Sequence, residues 1–124
     1  MEEHVFVFDQ AFDENVTNEQ LYLEAVQPLV DAAFTGIKVT CFAYGQTGSG
    51  KTFTMMGNQK DTTFVPGMFL LAASEIFTKI AQNGWSLGVW VSFYEIYCGK
   101  LFDLLNDRKT LFAREDGKQV LTLM

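Results

Sequence analysis

Read for hydrophobic period alone, the chain carries two interleaved signals. Short runs of β-branched and aromatic residues predict strands, and apolar positions three and four apart predict helices. Val5-Phe6-Val7-Phe8 is the first strand-like run, ended by Asp9. Thr17 and Gln20 have the spacing of a capping box opening a helix. Along that helix Val26, Leu29, Val30, Ala33 and Phe34 recur at helical spacing, and Gly36 suits its C-terminal cap. Pro28 falls inside the pattern, lacks an N–H, and predicts a kink or two short helices meeting there. Val39 to Tyr44 reads as a second strand leading straight into a glycine-rich segment. Asn58 to Pro66 looks like a surface excursion, followed by a helix from Met68 to Asn83 that Gly84 stops. Phe69, Ala72, Ala73, Ile76, Phe77 and Ile80 form its apolar face. Leu87 to Tyr97 is a long strand-like run, followed by Gly99 and the short segment Leu101 to Leu105. Leu111-Phe112-Ala113 and Val120 to Leu123 flank Glu115-Asp116-Gly117-Lys118, a hairpin signal through Asp-Gly. The order of strand, helix, strand, loop, helix, strand and hairpin predicts an α/β fold, with no internal repeat or interdomain linker.

Composition narrows this picture. With 124 residues, 48% of them hydrophobic, and only 2 Pro, the chain is suited to one domain with a modest core rather than to a disordered tail. The longest apolar runs fall short of a membrane span, and MEEHVF lacks the basic and apolar regions of a signal peptide. A formal net charge of −6 argues against a generic polyanion-binding surface, nucleic acid included, so any acidic partner must meet a local basic patch. Cys41 and Cys98 lie in strand-like apolar contexts without metal-ligand spacing, and are expected as two buried free thiols. Trp85, Trp90, Phe93, Tyr94 and the Met55-Met56 pair are expected in the core. His4, the lone histidine, is expected at a strand edge.

The chemistry concentrates in Gly45-Gln46-Thr47-Gly48-Ser49-Gly50-Lys51-Thr52, which fits the phosphate-loop pattern G-x-x-x-x-G-K-[ST]. Glycines let the backbone adopt positive φ, so that successive N–H groups point into one concavity and bind phosphate oxygens. The helix opening at the end of the loop adds free N–H groups and its positive dipole end. Lys51 would reach the β- and γ-phosphates, and the Thr52 hydroxyl would ligate Mg²⁺. A strand before the loop and a helix after it meet the mechanical requirement. Val5 to Asp9 has the form of a strand ending in a Mg²⁺-binding acid, but Asp9 is better read as ending a core strand, and Phe102-Asp103 supplies no better candidate.

Phe42 to Thr52, with Thr54-Met55 behind, closely resembles the nucleotide loop of kinesin motor domains. Phe8-Asp9-Gln10 with Phe12 resembles the strand entering the motor's first large helix. Ser92 to Tyr97 and Gly99 to Leu105 resemble the family's central strand and its continuation, so the likeness covers nearly the whole chain. Pro28-Leu29-Val30, Thr40-Cys41 and Arg114 to Val120 are similar to the microtubule-depolymerising kinesin-13 class. The resemblance implies a P-loop NTPase-type three-layer fold with a central mixed, mainly parallel sheet, an ATP and Mg²⁺ site, and tubulin or microtubules as partner. It also implies a cytoplasmic, cytoskeletal location at microtubules, the spindle among them.

Departures from the family pattern carry expectations of their own. Where kinesins usually place a His beside the adenine, this chain has Phe53, which keeps an aromatic face for stacking and loses a polar handle. Residues 1–124 are expected to form the phosphate-loop half of a motor domain, with the first strand and both γ-phosphate switches outside them. In the family the region corresponding to Asp107–Val120 touches β-tubulin, which makes Arg114 and Lys118 the expected contacts. From charge alone, Arg108, Lys109, Arg114 and Lys118 against Asp107, Glu115 and Asp116 are a weak footprint that reads as a solvated hairpin. Two functions follow: a motor ATPase seen in part, or a kinesin-derived module that binds tubulin or another protein without turnover. An incomplete sheet further predicts exposed edges, aggregation and weak ATP affinity for these residues alone.

Overall fold

In the computed structural model, residues 4–58, 63–115 and 121–123 are described. Their contacts divide the chain into two compact units, Met1–Ser86 and Leu87–Met124.

The first unit is helical. Thr17 caps α1 (Asn18–Leu21): its hydroxyl accepts from the Gln20 amide at 3.2 Å, and the Gln20 side chain accepts from the Thr17 amide at 2.9 Å. The chain then widens into a π-turn over Tyr22–Val26 before α2 (Gln27–Phe34). Pro28 gives the reason. It has no N–H for the Glu24 carbonyl, and its ring would crowd that carbonyl in an α-turn. A Gln27 amide reaching back to the Tyr22 carbonyl, five residues away, relieves the clash. The expected interruption at proline is thus a change of helical pitch. Gly36, with φ of 88°, closes α2: the Ile37 amide bonds the Ala32 carbonyl and the Gly36 amide bonds that of Ala33.

A short helix α3 (Lys51–Met56) runs into Gly57, where β1 (Gly57–Asn58) pairs antiparallel with β2 (Val65–Pro66). The excursion between Asn58 and Pro66 therefore has a closed neck. That neck is tight: a Cβ on Gly67 would lie 2.4 Å from the Gly57 nitrogen and 2.5 Å from the Met55 oxygen. The next helix, α4, spans Met68–Asn83 and ends at Gly84 in the left-handed region, as the sequence predicts.

Tyr22, Val26 and Met68 are buried together, with Leu21, Met55, Leu71 and Ala72 packed around them. A polar seam flanks this cluster. The Tyr22 hydroxyl donates to Glu75 at 2.5 Å, and Lys79 pairs with Asp31 at 2.8 Å and Glu75 at 3.2 Å. Burial, then the bond to Glu75, pushes the Tyr22 phenol well above its ordinary pKa. Hydrogen bonds to Asp31 and then Glu75 raise Lys79.

The second unit is a meander. β3 (Tyr94–Tyr97) pairs with β4 (Lys100–Asp103), and β4 with β5 (Lys109–Leu111). β6 (Ala113–Glu115) pairs with β7 (Leu121–Leu123), Arg114 opposite Thr122. The Asp-Gly turn expected at 116–117 lies outside the described residues. Leu111 belongs to β5, against Leu101, rather than to the hairpin predicted from Leu111 to Ala113. Only Tyr94–Tyr97 of the long run from Leu87 is laddered; Cys98 and Gly99, both at positive φ (50° and 72°), turn the chain back. That is a two-residue hairpin turn with a cysteine where Asn is usual.

Every ladder among the described residues is antiparallel, so the mainly parallel central sheet expected from the sequence is not formed by them. Val5–Phe8 and Val39–Tyr44 have no ladder partner there, and Val7 is 91% exposed and Tyr44 95%. A parallel strand needs a neighbour delivered by a crossover and cover on both faces. The apolar sequence of these runs records that need without meeting it. Trp85, Trp90, Phe93 and Tyr94 are likewise exposed, as are both free cysteines, against the expectation of burial. Met55 reaches the core cluster, but Met56 does not.

Candidate phosphate-binding site

The segment entering α3 forms a compact loop. Its first turn closes where the Ser49 amide donates to the Gln46 carbonyl at 3.2 Å. Gly48 and Gly50 hold φ of 82° and 91°, and a Cβ at either would meet open space. The backbone angle, not crowding, therefore demands glycine there. Gly45 differs, because a Cβ on it would fall 2.6 Å from Ser49 Oγ.

Gly50 caps α3 without a side-chain bond, and the Thr54 amide to Gly50 carbonyl contact, 2.9 Å, is the helix's first turn. The amides of Lys51, Thr52 and Phe53 precede that ladder and have no carbonyl within the helix to meet. Lys51 folds back over the loop, its Nζ donating to the carbonyls of Gly45 at 2.8 Å and Gln46 at 2.7 Å. A cation, three amides before the helical ladder and two left-handed glycines thus converge on one short stretch. This donor set suits an anion with several oxygens. A phosphate oxygen carries negative charge and is a stronger acceptor for an ammonium than a neutral carbonyl, so a bound phosphate would draw Nζ from those carbonyls. Thr52 and Phe53 are exposed on the first turn of α3, the hydroxyl available to a cation and the ring to a flat ligand.

One residue of this region has no signal in the sequence. Asn18, only 5% exposed, donates through Nδ2 to the Phe53 carbonyl at 3.1 Å and the Pro66 carbonyl at 2.9 Å. Its partners lie 35 and 48 positions away and are backbone atoms that any sequence would offer.

Acidic partners for a metal do not gather. Among the described residues no three His, Cys, Asp or Glu side chains form a metal-binding group. Asp9 is exposed, and Asp103 accepts from the Leu105 amide at 2.9 Å, which gives it a role in the turn after β4.

Of the two expected tubulin contacts, Arg114 lies on β6 and Lys118 falls outside the described residues. Arg108, nearby in sequence, pairs with Glu95 and sits over the Phe102 ring at 5.1 Å, so part of the local positive charge is already engaged. No helix among the described residues is long and apolar enough to cross a membrane.

Comparison with known proteins gives the loop its context. The profile of the kinesin motor domain matches residues 1–124. The chain is 52% identical over 123 residues to "Kinesin-like protein KIF24" of Mus musculus, covering 98% of this chain and 9% of that protein. It is 46% identical over 126 residues to "Kinesin-like protein KIN-13B" of Arabidopsis thaliana, covering 100% of this chain and 17% of that protein. "Kinesin-like protein KIN-13A" of Oryza sativa subsp. japonica is 42% identical over 127 residues, covering 100% and 14%. The chain belongs to the kinesin motor-domain family, and spans well under a fifth of the length of these relatives.

Proposed function

We propose that residues 1–124 are the ATP-binding part of a kinesin-like microtubule motor of the kinesin-13, microtubule-depolymerising type. The observation that carries this reading is the loop from Gly45 to Gly50 with the Lys51 ammonium laid across its carbonyls at the start of α3. In this reading the backbone N–H groups of Gly45, Gln46, Thr47, Gly48, Ser49 and Gly50 cradle the phosphates. Lys51 supplies a positive charge, Thr52 a hydroxyl ligand for Mg²⁺, and Phe53 a stacking face for adenine. A bound Mg²⁺ would neutralise charge on the β- and γ-phosphates. Unit charges about 4 Å apart in a surface site of effective dielectric about 20 gain about 4 kcal/mol. The two carbonyl bonds that Lys51 gives up are charge-assisted, about 1.5–3 kcal/mol each, so the lysine exchange is near balance. The backbone N–H groups and Mg²⁺ supply the surplus that favours the nucleotide. The parallel central sheet forms, on this view, when strands such as Val39–Tyr44 meet neighbours from the rest of a motor domain. Arg114 and Lys118 are assigned to tubulin, and the protein to cytoplasmic microtubules, the spindle included. The names of the two plant relatives support the kinesin-13 assignment.

The test is ATP turnover by the whole protein with and without microtubules, alongside tubulin release from stabilised microtubule ends. We expect microtubule-stimulated turnover and end-dependent tubulin release, both lost in Lys51→Ala. Turnover with movement along the lattice but no end disassembly would remove the depolymerase assignment. A second reading, a module that binds tubulin or another protein without turnover, is favoured by the lack of a metal-binding acidic group among the described residues. Appreciable ATP hydrolysis by the 124-residue chain alone would refute it.

A further inference from the structure

The buried amide of Asn18 connects three elements, and its position bears on nucleotide selectivity. Asn18 is the first residue of α1, is 5% exposed, and sits beside the Tyr22, Val26 and Met68 cluster in sequence and fold. Both its bonds run from one –NH₂ group to carbonyl oxygens, those of Phe53 at 3.1 Å and Pro66 at 2.9 Å. Two carbonyl acceptors can be met only by a double donor, so the orientation of the amide follows from its partners. Asp would set a carboxylate against two carbonyls, and a leucine of similar size would donate to neither.

What the two carbonyls belong to matters more than the bonds themselves. Phe53 lies in the first turn of α3, directly after Lys51 and Thr52. Pro66 ends the neck β1–β2, and Gly67 after it packs on Gly57 at the other end of α3. One side chain therefore fixes α3 near its start directly and at its finish through the neck. The loop glycines Gly45 to Gly50 lie upstream and make no bond to Asn18 among those described. The Phe53 carbonyl also accepts from the Gly57 amide at the end of the helix, so losing the Asn18 amide should loosen the Phe53 peptide, and with it the direction of the Phe53 ring, before it disturbs the phosphate cradle.

We propose that Asn18 is a positioning residue that holds the Phe53 ring at the edge of the phosphate loop and so favours adenine nucleotides over simple polyphosphates. This rests on the reading of Gly45 to Phe53 as an ATP site. It assigns the phosphate part of the binding to the loop and the base part to a ring whose backbone is anchored 35 residues away in sequence.

The experiment compares the whole protein with its Asn18→Ala, Asn18→Ser and Phe53→Ala variants. Affinity is measured for ATP and, separately, for tripolyphosphate, with thermal stability recorded for each. In Phe53→Ala, ATP affinity should fall while tripolyphosphate affinity holds, which fixes the contribution of the ring. Asn18→Ala should show the same split, losing about tenfold in ATP affinity, the effect of one hydrogen bond, with tripolyphosphate within about twofold. Asn18→Ser, which keeps one donor, should fall between them and stands in if the alanine variant does not fold. A drop in stability with both affinities unchanged, or equal loss for both ligands, would overturn the positioning role. No ATP binding by the unaltered protein, or no split in Phe53→Ala, would overturn the site assignment itself.

Discussion

Replacing Gly67 by Ala offers a clean measurement of how the neck holds α3. Gly67 has φ of −97° and ψ of 174°, angles any residue adopts, so the substitution carries no backbone strain of its own. The obstacle is contact: the new Cβ would stand 2.4 Å from the Gly57 nitrogen, 2.4 Å from the Met56 carbonyl carbon and 2.5 Å from the Met55 oxygen. All three are backbone atoms, and an ordinary contact needs about 1 Å more, so the strands must part. Overpacking of this kind costs about 1–3 kcal/mol, and parting the strands also endangers the Asn18 bond to Pro66, about 1 kcal/mol more. The sum centres near 3 kcal/mol, a roughly hundredfold rise in local opening. Gly84→Ala is the matched control, since φ there is 62° but nothing lies within 4 Å. It should cost about 1 kcal/mol, confined to the end of α4. Hydrogen–deuterium exchange resolved by peptide reads both effects. Gly67→Ala should speed exchange across α3 and the start of α4 by about two orders of magnitude. Exchange at the native rate, or no faster than in Gly84→Ala, would refute the argument from crowding.

Cys98→Asn should stabilise the β3–β4 hairpin by roughly 0.5–1 kcal/mol, because Asn tolerates positive φ better than Cys does; slowed exchange in Tyr94–Asp103 checks it, and faster exchange would contradict it. Tyr22 adds a pH dependence. Its phenol stays protonated in the folded chain to higher pH than in the unfolded one, where it ionises near pH 10. Stability is therefore at its full level below about pH 10 and falls as pH climbs beyond it. Tyr22→Phe should flatten that alkaline decline in thermal melts, leaving the part due to Lys79, whose pairing with Asp31 and Glu75 also weakens on deprotonation. An unchanged slope would mean that Tyr22 ionises as freely folded as unfolded.

Local chemistry was legible in the sequence where the structure depends on neighbours in the chain. The Thr17–Gln20 box, the Gly36 and Gly84 caps and the full span of α4 are set by hydrogen bonds within six residues. The shape of the glycine loop was legible for a similar reason, since glycine spacing reports where φ turns positive. Strands are different. Val5–Phe8 and Val39–Tyr44 carry the apolar run of a buried strand, but a ladder needs a partner that the run does not specify. The turn at Cys98–Gly99 was hidden because cysteine is not a usual residue there. Asn18 was invisible because a polar residue after a capping threonine looks like helix surface, and its acceptors are carbonyls.

The π-turn at Tyr22–Val26 has a consequence for how substitutions along this helix add up. A turn closed over five residues instead of four holds one residue more than α geometry needs. Everything from Gln27 onward is thereby rotated by about a third of a turn against the helix upstream. α1 and α2 keep separate phases. Asp31 reaches Lys79 in the second phase, whereas Asn18 reaches Phe53 in the first. A single helical wheel drawn through residues 18–34 would put one of these contacts on the wrong side, so the proline fixes the frame in which each half is read.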